Sequence, residues 1–313
     1  MDEPFVSIII AARNAEHTIV PCLRSLRALD YPADRMEIIV VDDGSSDRTA
    51  ELAESEGVRL IRAVQRGPGA ARNRGVAEAR GEFVAFTDAD CLVGEDWLRQ
   101  LLAVFEEDVA AVGGAQGLAN AGYVPRSVHS FLRLMGFWGG YTKTAETPRP
   151  VGHNPACNVL YRKAAFERVG GFNPDLFPGE DVELDARLRR LGSRLLYNPR
   201  AVVLHYRGGL RAFARMMFRY GRSGGCLLAR FGLFRPLYLT PFLTLAAGAV
   251  VVALCVVLRS LLPLPIALSL PALVFLVVDT PHALPLTLLF WITMVCWNVG
   301  FLVGLLTRTC APR

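Results

Sequence analysis

The sequence predicts an α/β fold whose mostly parallel sheet is covered by helices on both faces, followed by a strongly apolar region. Over residues 1 to about 205, short apolar runs alternate with amphipathic stretches, which is the pattern of buried parallel strands joined by helices. Beyond residue 235, charged residues almost disappear. Of the 313 residues, 52% are hydrophobic and 20% are charged, and this composition excludes a disordered or collagen-like chain.

The elements of the α/β part follow one another in a regular order. The first strand is predicted by the apolar run from Phe5 to Ala12. In open sheets of this kind, ligands bind beyond the carboxyl ends of the strands, and three loops at such ends are polar: residues 13–16, 42–45 and 87–90. The other predicted strands cover residues 37–41, 58–64 and 83–86, and the predicted helices cover residues 15–29, 46–55 and 70–79.

Two of these three loops carry paired carboxylates. Asp88 and Asp90 follow the fourth strand, and their spacing lets both present oxygen ligands to one hard cation such as Mg²⁺ or Mn²⁺. The turn that contains Asp42 and Asp43 is also typical of a helix cap, because Asp, Gly and Ser are turn formers. Acidic loops at adjacent strand ends together indicate a crevice for a metal-bound diphosphate.

A dinucleotide-binding dehydrogenase is a competing interpretation, since Gly67-Pro-Gly69 is part of a glycine fingerprint. The third glycine of that fingerprint would fall at Arg72, and the first strand ends without glycine, so the spacing excludes this class. The segment 67–75 instead predicts a loop that opens a helix and offers backbone amides, Arg72 and Arg74 to phosphate. A plain helix start with surface arginines would leave the same pattern.

Residues 236–307 form the apolar region, in which Arg259 and Asp279 are the charged residues. They separate uncharged runs of 23, 19 and 28 residues, and crossing a bilayer takes about 20 apolar residues. The sequence therefore predicts about three transmembrane helices and a short tail, 308–313. Pro271 would kink the middle helix, so two spans with a re-entrant segment are the alternative.

An arginine-rich segment precedes the apolar region. Residues 186–235 contain 12 Arg and no Asp or Glu, and cytoplasmic juxtamembrane segments concentrate positive charge. Residues 206–235 predict an interfacial amphipathic helix, basic toward anionic headgroups and with Phe213 and Met217 toward the acyl chains. Basic helices also bind nucleic acid, but the adjoining apolar region favours membrane lipids and no nucleic-acid partner. The arginines of the basic stripe are Arg207, Arg211, Arg215, Arg219 and Arg222.

The cysteines and most of the histidines show no spacing that is typical of a site. Seven cysteines are scattered without a Cys-x-x-Cys pair, which predicts reduced thiols. A lone histidine is usually a hydrogen-bonded structural residue. On that ground no functional role is predicted for His17, His129, His153 and His282.

Seven short motifs between residues 5 and about 225 occur in an order and spacing that resemble the family 2 glycosyltransferases. Each motif alone is weak, whereas the ordered set is specific. The resemblance implies a GT-A catalytic domain, which is a Rossmann-like α/β fold, over residues 1–205. The motifs lie at residues 6–14, 40–47, 71–75, 86–90, 170–172, 179–184 and 219–222.

The resemblance also implies the ligands of the site. The donor would be a nucleotide sugar, either a UDP- or a GDP-sugar, and Asp88 and Asp90 would hold the nucleotide and a Mg²⁺ or Mn²⁺ ion. The family places a histidine near the metal at the end of this region, which makes His205 a third candidate ligand. The candidate nucleotide-sugar-binding residues are Ala11, Arg13, Asn14, Asp42, Asp43, Arg72, Asp88, Arg219 and Arg222.

Asp181 is the catalytic base that the resemblance implies, with Glu180 beside it in a loop before a helix predicted over residues 182–191. Sugar transfer develops negative charge on the departing diphosphate, which a divalent cation and arginines stabilise. The attacking hydroxyl must lose a proton, and direct displacement would invert the anomeric carbon. Acidic residues at a helix N-terminus are otherwise explained by the helix macrodipole.

The predicted base also bears on the acceptor. A lipid phosphate is ionised near neutral pH and needs no base, so Asp181 favours a hydroxyl of a lipid-linked glycan, as in cell-envelope polysaccharide synthesis. Transfer to a polyprenyl phosphate is the close alternative, and a non-catalytic nucleotide- or lipid-binding scaffold is the second. Polymer-forming relatives carry Gln-x-x-Arg-Trp in place of residues 219–222, so processive synthesis is not predicted. The sequence thus predicts an integral plasma-membrane glycosyltransferase with a cytoplasmic catalytic domain.

Overall fold

The structure, a computed structural model, describes residues 3–137, 145–232, 235–278 and 283–310. The chain divides into two compact units, and each unit is built from two segments. The N-terminal unit comprises Met1–Ala121 and Arg133–Tyr206, and the C-terminal unit comprises Gly122–Leu132 and Arg207–Arg313.

A mixed sheet forms the N-terminal unit. Its strands are β1 (Val6–Ala12), β2 (Met36–Asp42), β3 (Arg59–Arg62), β4 (Phe83–Asp88), β5 (Cys91–Val93), β6 (Val109–Leu118), β7 (Arg149–Pro150), β8 (Asn158–Arg162) and β9 (Arg194–His205). The nine strands found among the described residues lie in the order β3-β2-β1-β4-β8-β6-β9-β5, and β7 pairs with β9.

Strand direction is mixed in this sheet. β3, β2, β1 and β4 are parallel, as predicted. β8 is antiparallel to β4 and β6, and β5 and β7 are antiparallel to β9, whereas β6 and β9 are parallel. The sheet is therefore mixed, and β5, β7 and β8 are the strands that depart from the predicted parallel arrangement. Apolar runs indicate burial on both faces of a sheet and carry no information on strand direction. For that reason the sequence could not separate the two cases.

Helices cover both faces of the sheet, as predicted. Ile8 and Ile10 belong to one buried cluster and Ile9 to the other, because successive strand side chains point to opposite faces. Leu23 and Trp97, which lie on helices, pack in the first cluster. The helices up to residue 190 are α1 (Ile19–Arg27), α2 (Thr49–Ser55), α3 (Pro68–Ala77), α4 (Trp97–Leu102), α5 (Tyr123–Leu134), α6 (Lys163–Arg168) and α7 (Glu180–Arg190).

The C-terminal unit is helical. Its long helices are α8 (Leu210–Phe231), α9 (Thr240–Val257), α10 (Pro263–Val278) and α11 (Ala283–Thr307). Two stretches among the described residues are long and apolar enough to cross a membrane: Pro236–Val257, with 22 residues, and Ala283–Thr307, with 25. α10 has 16 residues and contains Pro271. Three apolar helices thus stand where about three were predicted, and two of them have the length of a span.

Glycines let α8 and α11 lie backbone to backbone. A side chain at Gly221 would meet the backbone of Trp297, and one at Gly225 would meet the backbone of Phe301. Such close approach of small residues is typical of helix pairs in membranes. Phe213 and Met217, which were predicted to face acyl chains, are buried instead. The buried Phe213 of α8 also packs edge-on against Phe131 of α5, with ring centroids 5.7 Å apart.

α9 and α11 run in opposite directions. Phe242, near the start of α9, packs against Phe301 in the last third of α11, with ring centroids 6.1 Å apart. Further along α9, the Oγ1 atom of Thr244 lies 3.7 Å from the Sδ atom of Met294, which comes earlier in α11. As the residue number of the contact increases along α9, the residue number of its partner in α11 decreases, so the two helices are antiparallel.

One pair of cysteines departs from the predicted reduced state. Cys226 of α8 and Cys310, just beyond α11, are joined by a disulfide. Because these residues are 84 positions apart, no short Cys-x-x-Cys spacing announces the pair in the sequence. The other five cysteines are free.

Candidate active site

The register of the parallel strands brings the predicted polar loops to one edge of the sheet. Ala11 pairs with Asp88 on one side and with Val41 on the other, and Ala12 pairs with Asp42. The carboxyl ends of β1, β2 and β4 therefore stand side by side. This is the edge at which open α/β sheets bind ligands.

Asp88, Asp90 and His205 form a group that could hold a metal ion, since one ligand atom from each lies within 4.8 Å of the others. The Nε2 atom of His205 is 3.7 Å from Oδ1 of Asp90, and its Nδ1 atom is 2.8 Å from the carbonyl oxygen of Tyr206. A carbonyl oxygen only accepts, so Nδ1 donates and the lone pair of Nε2 faces Asp90. Two carboxylates and one imidazole suit a hard or borderline divalent cation. The residues therefore fit the Mg²⁺ or Mn²⁺ ion that the resemblance implies.

The thiols of Cys91 and Cys157 also lie close to His205. Cys91 and Cys157, together with His205, form a second group with ligand atoms within 4.8 Å of one another. Both cysteines belong to the apolar core, and burial, with a hydrogen bond to Cys157, raises the pKa of the Cys91 thiol well above its usual range. A thiol that keeps its proton is a poor metal ligand. The chemistry of this edge therefore favours the carboxylate group over the sulfur group.

Arg72 joins the acidic loop to α7. Its buried guanidinium donates 2.8 Å hydrogen bonds to Oδ1 of Asp88 and to Oε1 of Glu180. Burial, and next the charge of Asp181, raise the pKa of Glu180 to about 7, although Arg72 acts in the opposite direction. The Arg72 guanidinium, which was predicted to bind phosphate, thus bridges two carboxylates.

Glu180 and Asp181 are the first two residues of α7. They were predicted to lie in a loop before a helix that starts at residue 182, but Gly179, with φ of 103°, ends the loop and lets the helix begin earlier. The Glu180 side chain is buried, whereas that of Asp181 is 20% exposed. Asp181 accepts hydrogen bonds from the backbone amides of Ala156, at 3.2 Å, and Val182, at 2.8 Å. Of the two predicted catalytic carboxylates, Asp181 is the one with a partly exposed side chain.

His153 is a residue that no sequence pattern selects. Its Nδ1 atom lies 3.1 Å from Oδ2 of Asp185, and its Nε2 atom lies 3.8 Å from Oδ2 of Asp181. Asp181 and Asp185 are four residues apart on α7 and therefore share one helix face. That spacing is visible in the sequence, but the loop that brings His153 to it is a tertiary feature.

Two of the predicted nucleotide-sugar-binding residues, Asp43 and Asn14, hold the loops around them. Asp43 is buried and accepts hydrogen bonds from the backbone amides of Arg66, at 2.8 Å, and Gly67, at 2.9 Å. Asn14, with a positive φ of 51°, accepts a 2.9 Å hydrogen bond from the amide of Ser46. These contacts bind the loops after β1 and β2 into one polar rim.

The remaining predicted residues lie at the end of β2, just after β1 and in the C-terminal unit. Asp42 is buried and accepts the amide of Ser45, and Arg13 is exposed and donates a 2.8 Å hydrogen bond to Gln65. Arg219 and Arg222 belong to the C-terminal unit instead. There Arg222 donates to the carbonyl and hydroxyl oxygens of Thr309, at 3.1 and 3.0 Å.

Comparison with known proteins gives consistent matches. A family model described as "Glycosyl transferase family 2" matches residues 7–170. Glycosyltransferase AglE of Haloferax volcanii is 30% identical over 229 residues, which cover 70% of this chain and 73% of that protein. The pre-mycofactocin glycosyltransferase of Mycobacterium tuberculosis is 33% identical over 237 residues, 72% of this chain, which spans about half (48%) of that protein.

Two further matches carry names that describe substrates. A dolichyl N-acetyl-α-D-glucosaminyl phosphate glucuronosyltransferase-type enzyme of Methanococcus voltae is 25% identical, over 76% of this chain and 78% of that protein. The solved structure of a mannosyltransferase, PcManGT from Pyrobaculum calidifontis, with GDP-Man and Mn²⁺, superposes with a TM-score of 0.69 at 22% identity, over 97% of this chain and 88% of that one. The structural likeness shows a shared fold.

Proposed function

This chain belongs to glycosyltransferase family 2, and on that premise we propose that it is an inverting, metal-dependent enzyme that moves a sugar from a UDP- or GDP-sugar to a hydroxyl of a lipid-linked glycan. The observation that carries the proposal is the group of Asp88, Asp90 and His205 at the carboxyl edge of the sheet. A donor diphosphate is a ligand that such an edge suits. Asp181 lies on α7, which Arg72 ties to the same loop through Glu180 and Asp88.

In this mechanism Asp88, Asp90 and His205 would hold the cation, whose charge offsets the negative charge that develops on the leaving diphosphate. Asp181 accepts the proton of the acceptor hydroxyl. The hydroxyl oxygen then forms a bond to the anomeric carbon as the bond from that carbon to the diphosphate oxygen breaks, and the electron pair leaves with the diphosphate. Attack on the face opposite the leaving group inverts the anomeric centre.

The partly exposed Asp181 supports a hydroxyl acceptor. A base is required for a hydroxyl but has no proton to remove from an ionised lipid phosphate. The Methanococcus relative, by its name, adds a sugar to a sugar that is already linked to dolichyl phosphate. The same acceptor class is our proposal for this chain.

We propose further that α9 and α11 anchor the enzyme in the plasma membrane and that the N-terminal unit is cytoplasmic. Within the described residues, the apolar window of Pro236–Val257 is only 6% buried, and side chains such as Val256 and Leu261 are more than 70% exposed. An apolar surface of this size needs a cover, and lipid provides it. The arginines before Pro236 favour the cytoplasmic side for the preceding segment.

The test is a transfer assay with the full chain in detergent, together with Asp181→Asn. UDP- and GDP-sugars are offered with Mn²⁺ or Mg²⁺ and with either a polyprenyl-linked saccharide or polyprenyl phosphate, and the released nucleoside diphosphate is measured. We expect transfer to the saccharide, lost in Asp181→Asn while donor binding stays. Transfer to polyprenyl phosphate that survives Asp181→Asn would favour the polyprenyl-phosphate enzyme, and donor binding without turnover would favour a scaffold.

A further inference from the structure

We propose that Asn158 is a positioning residue that directs the imidazole of His205 toward the proposed metal group. The inference rests on the function proposed above, in which His205 holds the cation together with Asp88 and Asp90. It is carried by an irregularity in β9 and by the buried amide that holds this irregularity in place.

β9 contains three more residues than its neighbour β6 at one point. Gly114 of β6 pairs with Asn198 of β9, and the next residue of β6, Ala115, pairs with Val202. Residues 199–201, the β9 bulge, therefore lie between two consecutive pairs of this ladder. Bulges are common beside active sites, where they redirect a side chain.

The β9 bulge reverses the face of the sheet to which the following side chains point. Successive side chains of a strand alternate between the two faces, so residues seven positions apart in a regular strand point to opposite faces. Leu196 and Val203 are seven positions apart, yet both belong to the same buried cluster. A bulge with an odd number of extra residues accounts for this reversal.

The orientation of His205 depends on that reversal. His205 lies two residues after Val203 and therefore shares its face, and Cys91, its partner in β5, belongs to the same buried cluster as Val203. Leu204 points to the opposite face and is 40% exposed. With regular alternation along β9, Leu204 would occupy the face of Val203, and the imidazole would point away from Asp90.

Asn158 binds both strands at the β9 bulge. Its buried Nδ2 atom donates hydrogen bonds to the carbonyl oxygens of Ala115, at 2.8 Å, and of Ala201, at 2.9 Å. Ala115 is the first paired residue of β6 after the bulge, and Ala201 is the last residue of the bulge itself. Buried carbonyl groups that leave a regular ladder need such donors. The two N–H groups of one amide thus supply a donor to each strand.

Trp97 and Gly114 fit the amide to this place. The indole Nε1–H of Trp97 donates a 2.7 Å hydrogen bond to Oδ1 of Asn158. Because an indole only donates, this bond fixes which end of the amide carries the oxygen. A side chain at Gly114 would collide with the carbonyl oxygen of Ala201 and with Nδ2 of Asn158. The glycine therefore leaves room for the amide and for the bulge.

Asn158 also lies beside the strand that supplies the carboxylates. On β8 it pairs with Thr87 of β4, and Thr87 directly precedes Asp88. Its backbone is therefore fixed to the strand of Asp88, and its side chain is fixed to the strand of His205. One residue thereby connects the acidic part of the proposed metal group to the histidine part.

Asn158→Leu is the central variant, because leucine has the same branched shape but no group that forms hydrogen bonds. We expect its Kd for Mn²⁺ to rise about 10- to 100-fold, the usual effect of removing a group that orients a metal ligand. Electron paramagnetic resonance of free Mn²⁺, titrated into the full chain in detergent without a sugar donor, measures this. Asn154→Leu is the matched control, since Asn154 is also fully buried and donates to the carbonyl oxygen of Leu196, before the bulge. It should lower the temperature of unfolding but leave the Mn²⁺ affinity unchanged.

A double variant separates a positioning residue from a merely structural one. If Asn158 acts through the imidazole, its replacement costs no further affinity once the imidazole is gone. Asn158→Leu combined with His205→Gln should therefore bind Mn²⁺ as His205→Gln alone does. Losses that multiply in the double variant would overturn the proposal, and so would normal Mn²⁺ affinity in Asn158→Leu.

Trp97→Phe provides a second route to the same test, because it removes only the N–H group that orients the amide. We expect it to weaken Mn²⁺ binding in the unmodified chain and to have no further effect in the His205→Gln chain. An equal loss in both chains would contradict the proposed role of the amide. This variant keeps the question open to measurement if Asn158→Leu does not fold.

Two outcomes separate this inference from the proposed function. Mn²⁺ binding that depends on both Asn158 and His205, in a chain that transfers no sugar, would contradict the proposed function alone. Sugar transfer by a chain in which His205→Gln weakens Mn²⁺ binding and Asn158→Leu does not would contradict this inference alone. His17→Gln, whose parent ring is 91% exposed, is the control for the loss of an imidazole.

Discussion

Arg72 and Glu180 form a buried ion pair across 108 positions of sequence, with Nη1 of the arginine 2.8 Å from Oε1 of the glutamate. The same guanidinium holds Asp88. One cation therefore links α3, the end of β4 and the start of α7. Such a cluster stabilises the fold only while it is complete, because removal of one partner leaves the others buried and uncompensated.

Arg72→Met should destabilise the chain by about 3 to 5 kcal/mol, because Glu180 and Asp88 lose their shared counter-charge. The measurement is urea unfolding of the full chain in detergent, followed by tryptophan fluorescence. Arg74→Met is the matched control on the same helix, since Arg74 is 59% exposed and pairs with Glu78 on the surface. A change below about 0.5 kcal/mol is expected there. Equal effects of the two variants would contradict the buried role of Arg72.

The raised pKa of Glu180, about 7 in the folded chain against an ordinary 4.5, predicts how stability depends on pH. The folded state holds this proton more tightly than the unfolded state, so the contribution is complete below about pH 4.5 and is lost as pH rises through about 7. At about 1.4 kcal/mol for each pH unit, the loss amounts to about 3 kcal/mol. Glu180→Gln should flatten this part of the curve of unfolding free energy against pH. A slope identical to that of the unmodified chain would argue against a raised pKa of Glu180.

Asp90→Asn and His205→Gln should each weaken Mn²⁺ binding at least about tenfold, which is about 1.4 kcal/mol, because each replaces a ligand of the proposed metal group by a neutral amide that is a weaker ligand. Electron paramagnetic resonance of free Mn²⁺ during a titration measures this directly, without any sugar donor. His17→Gln should leave the affinity unchanged. If both site variants bound Mn²⁺ as well as the unmodified chain does, the ion would have to lie elsewhere.

Gly221→Ala should disrupt the packing of α8 on α11, since the added methyl group would meet the backbone of Trp297. We expect a loss of about 1 to 3 kcal/mol, the usual cost of overpacking. Gly248→Ala in α9 is the control, because nothing lies within 4 Å of the position its side chain would take. That variant should be neutral or slightly stabilising, as glycine is a poor helix former. Thermal unfolding of both variants in the same detergent tests the difference.

The sequence predicted the location of those site residues that follow a clearly periodic strand and lie in a polar turn. Asp88 and Asp90 follow an unbroken apolar strand, so their place at the carboxyl edge could be predicted before any coordinates. His205 was expected beside them because of the resemblance, and the β5–β9 pairing sets it opposite Cys91, one residue after Asp90. The roles of these residues stay predictions until metal binding is measured.

Long-range contacts were beyond the reach of the sequence. Nothing in the local pattern around Arg72 indicates that it would be buried between two carboxylates, because that burial depends on how α7 packs over the sheet. His153 is missed for the same reason, since a histidine beside Asn-Pro in a loop has no periodic signal. The disulfide of Cys226 likewise joins segments whose proximity only the helix packing creates.

If α9 and α11 anchor the chain in a membrane as proposed, their opposite directions predict which compartment the end of α11 faces. In a bilayer crossed by both helices, the residue that enters the first and the residue that leaves the second face the same water phase. Arg235 and Arg308 then flank the pair on one side, which satisfies the preference of cations for the cytoplasm. A fluorescent protein fused after residue 313 should therefore lie in the cytoplasm. An odd number of membrane-crossing helices would place it outside the cell.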